Sequence, residues 1–148
     1  MHLKGTHAFK APASQIWAML MDTDTLARIT PGVSRLEATG EDQFKAIADV
    51  KIGPVSGSFS GNLELAEKVE PEQFVLHIKQ TSKIGNVAAD IKIELHALSE
   101  SETELSFDGK AQLSGLLART GQRVLSGVAS TLSKQFFKAL ESELGQAG

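Results

Sequence analysis

The side chains that could do chemistry in this chain are few. There is no cysteine, which removes disulfides, thiolate metal sites and a cysteine nucleophile. The histidines are His2, His7, His77 and His96, and none is followed at the short His-x-x-x-His spacing that places two imidazoles on one metal. Gly57-Ser58-Phe59-Ser60-Gly61 has the outline of a nucleophile elbow but carries Phe at its centre. No phosphate-cradling glycine loop is present. Asp22 and Asp24 read as helix caps rather than as an acid–base pair. No catalytic residue and no metal ligand is therefore assigned. A formal charge of −3 argues against wholesale binding of phosphates, so no nucleic-acid partner is expected.

The alternation of the middle of the chain says more. Five segments alternate apolar and polar residues with period two, as an antiparallel sheet with one wet face requires. Their inward sets are Phe44, Ala46, Ala48, Val50 and Ile52; Phe59, Gly61, Leu63 and Leu65; Phe74, Leu76 and Ile78; Val87, Ala89, Ile91, Ile93 and Leu95; and Leu105, Phe107, Gly109, Ala111 and Leu113. Lys45, Lys92 and Lys110 fall on the opposite face. Short turn-rich connections make neighbouring segments pair as a meander. A strand over Leu3–Phe9 precedes two short helices. The first follows Pro12 and carries Ile16, Trp17 and Leu20. The second is capped in Asp22–Asp24 and is broken at Pro31-Gly32. A shorter strand, Val33–Ala38, leads into the meander.

From Leu116 to Leu144 there is no proline and the apolar period is near 3.6. Leu117, Val124, Leu125, Val128, Leu132, Phe136, Leu140 and Leu144 form one stripe. A helix of about 28 residues would be roughly 42 Å long at about 1.5 Å per residue. Only the dry face of the sheet is large enough to be covered by it. The expected fold is α+β: a curved antiparallel sheet wrapping a long C-terminal helix, with two short helices after the first strand, in one domain over residues 1–148.

The inward face of the five strands lacks charged side chains, and Ala46, Ala48, Gly61, Ala89, Gly109 and Ala111 are small. Interiors normally fill such space. Small residues among Phe, Ile and Leu leave room for an apolar ligand. The alternative is close approach of the helix, which Gly121 and Gly127 would permit. Strand parity also turns His7 inward, where it could donate to a ligand carbonyl such as a quinone oxygen; the plainer reading is a buried neutral histidine bonded to the main chain. Trp17 could cap the ligand space or simply pin the first helix. Pro31, Gly32, Gly53, Pro54 and Gly85 could ring one mouth. Arg119, Arg123, Lys134 and Lys138 recur at four, eleven and four residues, which keeps them on one side of a helix. That stripe could meet anionic headgroups or an acidic partner, or be a solvated face.

Gly5, Ala11-Pro12 with Ile16-Trp17, Ile29-Thr30-Pro31-Gly32, Ile52-Gly53-Pro54-Val55, Phe59-Ser60-Gly61, Gly115-Leu116-Leu117-Ala118 and Phe136-Phe137 occur in an order that resembles the CoxG family, named for the G subunit of carbon monoxide dehydrogenase. That family is a branch of the START-like (SRPBCC) superfamily with the helix-grip fold. The resemblance implies a non-catalytic accessory protein of an aerobic carbon monoxide dehydrogenase or related molybdenum hydroxylase. It would recruit that enzyme to the membrane and handle a quinone. The expected ligand is a lipid or isoprenoid quinone, with no other cofactor. The residues expected to bind it are His7, Trp17, Phe44, Ala46, Ala48, Phe59, Gly61, Leu76, Ile78, Ile91, Phe107, Gly109, Ala111, Leu117, Val124, Val128 and Leu132. The expected location is cytoplasmic, with peripheral contact at the inner face of the membrane. A C-terminal extension of the kind that touches the membrane in some relatives is not seen before Gly148, which argues against a permanent anchor. The rivals are a polyketide cyclase/dehydratase-like enzyme of the same superfamily, and a docking module with a filled core.

Overall fold

The computed structural model describes residues 1–147; Gly148, the last residue of the expected domain, lies outside the described residues. Its elements run β1 (His2–Phe9), α1 (Ala13–Leu20), α2 (Thr23–Ile29), β2 (Val33–Gly40), β3 (Gln43–Ile52), β4 (Val55–Val69), β5 (Gln73–Ser82), β6 (Gly85–Ser99), β7 (Glu102–Leu113), α3 (Gly115–Arg119) and α4 (Gln122–Ala147). The strands form one antiparallel sheet of seven in the order β1-β7-β6-β5-β4-β3-β2. Strands β2 to β7 are a meander, and α1 and α2 carry the chain from the β1 edge to the β2 edge.

Register follows the alternation of the sequence. Ala46 faces Gly61 and Ala48 faces Phe59 across β3 and β4. Leu76 faces Ile91 across β5 and β6, and Ala89 faces Ala111 across β6 and β7. Inward residues thus pair with inward residues throughout, while Lys45, Lys92 and Lys110 are turned away from the core. A slip of one residue would have reversed this.

The short helices are held by their ends. The Asp22 carboxylate accepts from the Thr25 amide at 3.1 Å and from its hydroxyl at 2.6 Å. These two hydrogen bonds hold the Asp22 carboxyl below its ordinary value, and the first of them satisfies a free donor at the start of α2. At the β1–α1 corner, the fully buried Thr103 donates its hydroxyl to the Ala11 carbonyl at 2.8 Å. Ile16, Trp17 and Leu20 then point α1 into the core.

The C-terminal segment departs from the expected single helix. It breaks between α3 and α4, where Gly121 takes a φ of +100°, open to glycine and strained for other residues. The remaining helix, α4, has 26 residues and spans about 39 Å. Its far end is tied back by Arg28 Nε donating to Glu143 at 2.6 Å and by a hydrogen bond between the His7 ring and the Glu141 carboxylate.

The core divides into two clusters. The larger packs Phe9, Ile16, Trp17, Leu20, Phe74, Leu105, Phe137 and Leu140 with their neighbours. The smaller packs Val55, Phe59, Leu117, Leu125 and Val128.

Candidate functional site

Between those clusters the sheet and α4 do not meet. A cavity of about 490 Å³, partly open to solvent, lies there. Members of both clusters form its walls, among them Phe44, Leu65, Phe74 and Phe137 on one side and Val55, Phe59, Leu117 and Leu125 on the other. The physical cause is a shortage of side-chain volume where the helix crosses. Over this stretch α4 offers Val128, Ala129, Leu132 and Ser133, and the opposing strands offer Ala46, Ala48 and Ala111.

Of the residues expected at the site, Phe44, Ala46, Ala48, Phe59, Leu76, Ile78, Ile91, Phe107, Ala111, Leu117, Val128 and Leu132 line the cavity. The others lie elsewhere. His7 faces α4 rather than the cavity: its ring stacks on Phe137 with centroids 5.0 Å apart, and its Nε2 meets the carboxylate of Glu141 rather than the main chain. Trp17 lies behind the wall, edge-on to Phe74 at 5.7 Å, so it braces a lining residue without touching the space. Val124 is exposed, because the break at Gly121 resets the phase of α4 and gives the inward position to Leu125.

Gly61 and Gly109 serve curvature rather than volume. A Cβ on Gly61 would lie 1.9 Å from the Lys79 carbonyl oxygen, and one on Gly109 would lie 2.3 Å from that of Asp90. Adjacent strands close in on these two points as the sheet bends toward α4, and only glycine leaves room for the neighbouring backbone. Among the proposed mouth residues, Pro31 lines the cavity. Gly32 (φ +75°) instead packs its Cα against the Asp49 carbonyl of β3.

Several lining residues were not singled out from sequence. Met1 and Leu3 enter because β1 pairs with β7 at the sheet edge. Leu20, Leu26, Thr30, Val33 and Leu36 enter because α1 and α2 close one end. Gln80 continues the Phe74, Leu76, Ile78 parity by one step, and that parity was the available signal. A shallower groove shares Met1, Ala111, Leu113 and Leu125 with the cavity and adds Gln112, Ala118 and Gln122, so it adjoins the cavity beside the α3–α4 turn.

No ionisable side chain lines the cavity among the described residues. The polar ones are Thr30, Gln80 and Ser133. Thr30 donates its hydroxyl to the Leu26 carbonyl at 2.7 Å and Ser133 to that of Ala129 at 2.9 Å. Arg119, Arg123, Lys134 and Lys138 make no ion pair among the described residues. They do not form one stripe: Arg119 belongs to α3, and the turn at Gly121 separates it from the other three on α4. No helix of the described residues is long and apolar enough to cross a membrane.

A curved antiparallel sheet gripping a long C-terminal helix around an apolar cavity defines a START-like domain. Solved structures agree. A conserved protein from Geobacillus kaustophilus superimposes with a TM-score of 0.96 at 29% identity, over 99% of this chain and 97% of that one. A START superfamily protein from Mycobacterium smegmatis gives 0.78 at 17% identity, over 99% of each. The Zhui aromatase/cyclase from Streptomyces sp. R1128 gives 0.69 at 18% identity, over 97% of this chain and 92% of that one. No curated protein matches the sequence. The profile of the CoxG family, the G subunit of carbon monoxide dehydrogenase, matches residues 5–145, and the chain belongs to that family.

Proposed function

We propose that this protein binds an apolar small molecule, of the lipid or isoprenoid quinone class, without transforming it. The observation that carries this reading is a cavity of about 490 Å³ whose wall holds no ionisable side chain among the described residues. That volume lies within the roughly 300–1,000 Å³ usual for small-molecule sites. Acid–base turnover of a polyketide would need a titratable group within hydrogen-bond reach of the substrate. His7, the one inward-turned candidate from sequence, is engaged by Glu141 outside the cavity. The likeness to an aromatase/cyclase is therefore read as shared architecture.

Membership of the CoxG family supports an accessory role beside a carbon monoxide dehydrogenase or related molybdenum hydroxylase. In this reading the protein is cytoplasmic and works at the inner face of the membrane. Arg119, Arg123, Lys134 and Lys138 supply the contact with anionic headgroups.

The deciding experiment is native mass spectrometry of the protein purified from its own cells, before and after organic extraction. A mass excess removed by extraction and identified in the extract as a lipid or quinone is expected. An apo mass alone, together with failure to take up added quinone or lipid, would replace the carrier by a docking module. Turnover of cyclic aromatic polyketides would restore the enzyme reading.

A further inference from the structure

Among the described residues, the wall of the cavity contains one polar side chain with no partner in the protein. Both amide atoms of Gln80, Nε2 and Oε1, are buried and have no hydrogen-bond partner in the protein, although Gln80 is one of the residues lining the cavity. Its surroundings explain why. Across the sheet it pairs with Gly61 on β4 and Val87 on β6, neither of which has a polar side chain to offer. The next residue on the same face of β5, Ser82, is already engaged: its hydroxyl donates to the Gly85 carbonyl at 2.7 Å and accepts from the Ile84 amide at 3.2 Å. The other polar side chains of the cavity, Thr30 and Ser133, spend their protons on carbonyls of their own turns of helix. Leucine or methionine would fill the same position without a buried, unpaired amide. A group that is costly to bury unpaired is retained at low cost when a binding partner completes it.

We propose that Gln80, by turning its enclosed amide toward the space it lines, is the headgroup contact of the cavity, and that the ligand is an apolar chain or ring system bearing a neutral carbonyl, hydroxyl or amide. This deepens the reading of the cavity as an apolar ligand site and rests on it. Neutrality follows from the wall. An ammonium would be buried with no opposite charge beside it among the described residues, which is far more costly than burying a neutral group, and the α-ammonium of Met1, the positive charge among the lining residues described, is already held by the Ala111 carbonyl at 2.9 Å. A neutral carbonyl can accept from Nε2 and a hydroxyl can donate to Oε1. The hydrocarbon part then occupies the remainder of the cavity, where every other wall side chain is apolar or already hydrogen-bonded.

The test uses three probes of equal chain length, decane, decanol and decanamide, competing for the protein against diphenylhexatriene, a fluorescent hydrocarbon with no hydrogen-bonding group. Wild type is compared with Gln80→Leu and Gln80→Met. Removing an unpaired amide leaves the apo melting temperature unchanged or raised in at least one of the two. Both substitutions should reduce the preference for decanamide and decanol over decane by about fivefold to tenfold, the weight of one net hydrogen bond. Affinity for decane and for diphenylhexatriene should be unchanged or tighter. If decane and diphenylhexatriene bind and the preference stays within about twofold of wild type in both variants, Gln80 is not the headgroup contact and only this inference falls. If wild type takes up neither diphenylhexatriene nor any of the three probes, the apolar-site reading falls and this inference falls with it.

Discussion

Replacing Ala111 with phenylalanine places a ring on the wall of the cavity from β7. Ala111 is inward and buried, faces Ala89 across β6, and keeps its main chain tied to Met1 by hydrogen bonds of 2.8 and 2.9 Å. Its side chain borders a space of about 490 Å³, so a phenyl group has somewhere to go. Filling an apolar void commonly adds about 0.5–2 kcal/mol, whereas overpacking a filled core costs about 1–3 kcal/mol. With about 1 kcal/mol gained or about 2 kcal/mol lost, and roughly 3 °C per kcal/mol for a domain of this size, Tm rises by about 3 °C or falls by about 6 °C. The structure argues for the rise, accompanied by weaker binding of a menaquinone-like or fatty ligand. Gly109→Ala, two residues away on the same face, is the counterpart. Its new Cβ would meet the Asp90 carbonyl oxygen at 2.3 Å and the Ile91 Cα at 2.7 Å, backbone atoms that cannot turn aside. It should be destabilising by about 2–3 kcal/mol, the upper part of the overpacking range. Thermal melts of the apo proteins with and without ligand read both effects. A fall in Tm for Ala111→Phe with no ligand response in wild type would show that the helix and sheet are close-packed there, and the cavity argument would fail.

Charge reversal at Arg119 and Arg123 together should weaken salt-sensitive binding to anionic liposomes and leave Tm nearly unchanged, since both are exposed and unpaired among the described residues; equal low-salt binding by both proteins would end the membrane-contact idea. Thr103→Val keeps shape but leaves the Ala11 carbonyl without its buried donor, so stability should fall by about 1–3 kcal/mol in chemical denaturation; a neutral result would mean the β1–α1 corner does not depend on that bond. Asp22→Ala should lower Tm at neutral pH by uncapping α2. The Asp22 carboxyl is depressed in the folded state, so its contribution is complete above the ordinary aspartate value and is lost as pH falls through the folded value. The gap between wild-type and variant melting curves should therefore close in acid, and a gap that stays constant would contradict the capping role.

The sheet was legible because each strand carries its own instruction. Phe44, Ala46 and Ala48 alternate with Lys45 and Asp49, and once one face is apolar the register and the side covered by the helix follow. The cavity wall formed by Phe59, Leu76, Ile91, Phe107 and Ala111 is a consequence of that local periodicity. The four-residue and eleven-residue spacings of the cations were legible too, but a spacing implies one face only if the helix is unbroken, and Gly121 breaks it.

What only the tertiary structure decided depends on distances between segments far apart in sequence. Small residues on an inward face mean volume where the opposing surface stands off, as at Ala46, Ala48 and Ala111. They mean curvature where the next strand's backbone presses in, as at Gly61 and Gly109. Strand parity turned His7 inward, but whether it met a ligand or a protein group depended on Glu141, 134 residues away on α4. Gln80 was on the correct face by parity. That its amide has no partner was set by Gly61 on one neighbouring strand and Val87 on the other. Periodicity fixes which face a side chain occupies, because that is a property of consecutive residues. Whether that face finds a side chain, a backbone or an empty space is decided by how the sheet bends over the helix.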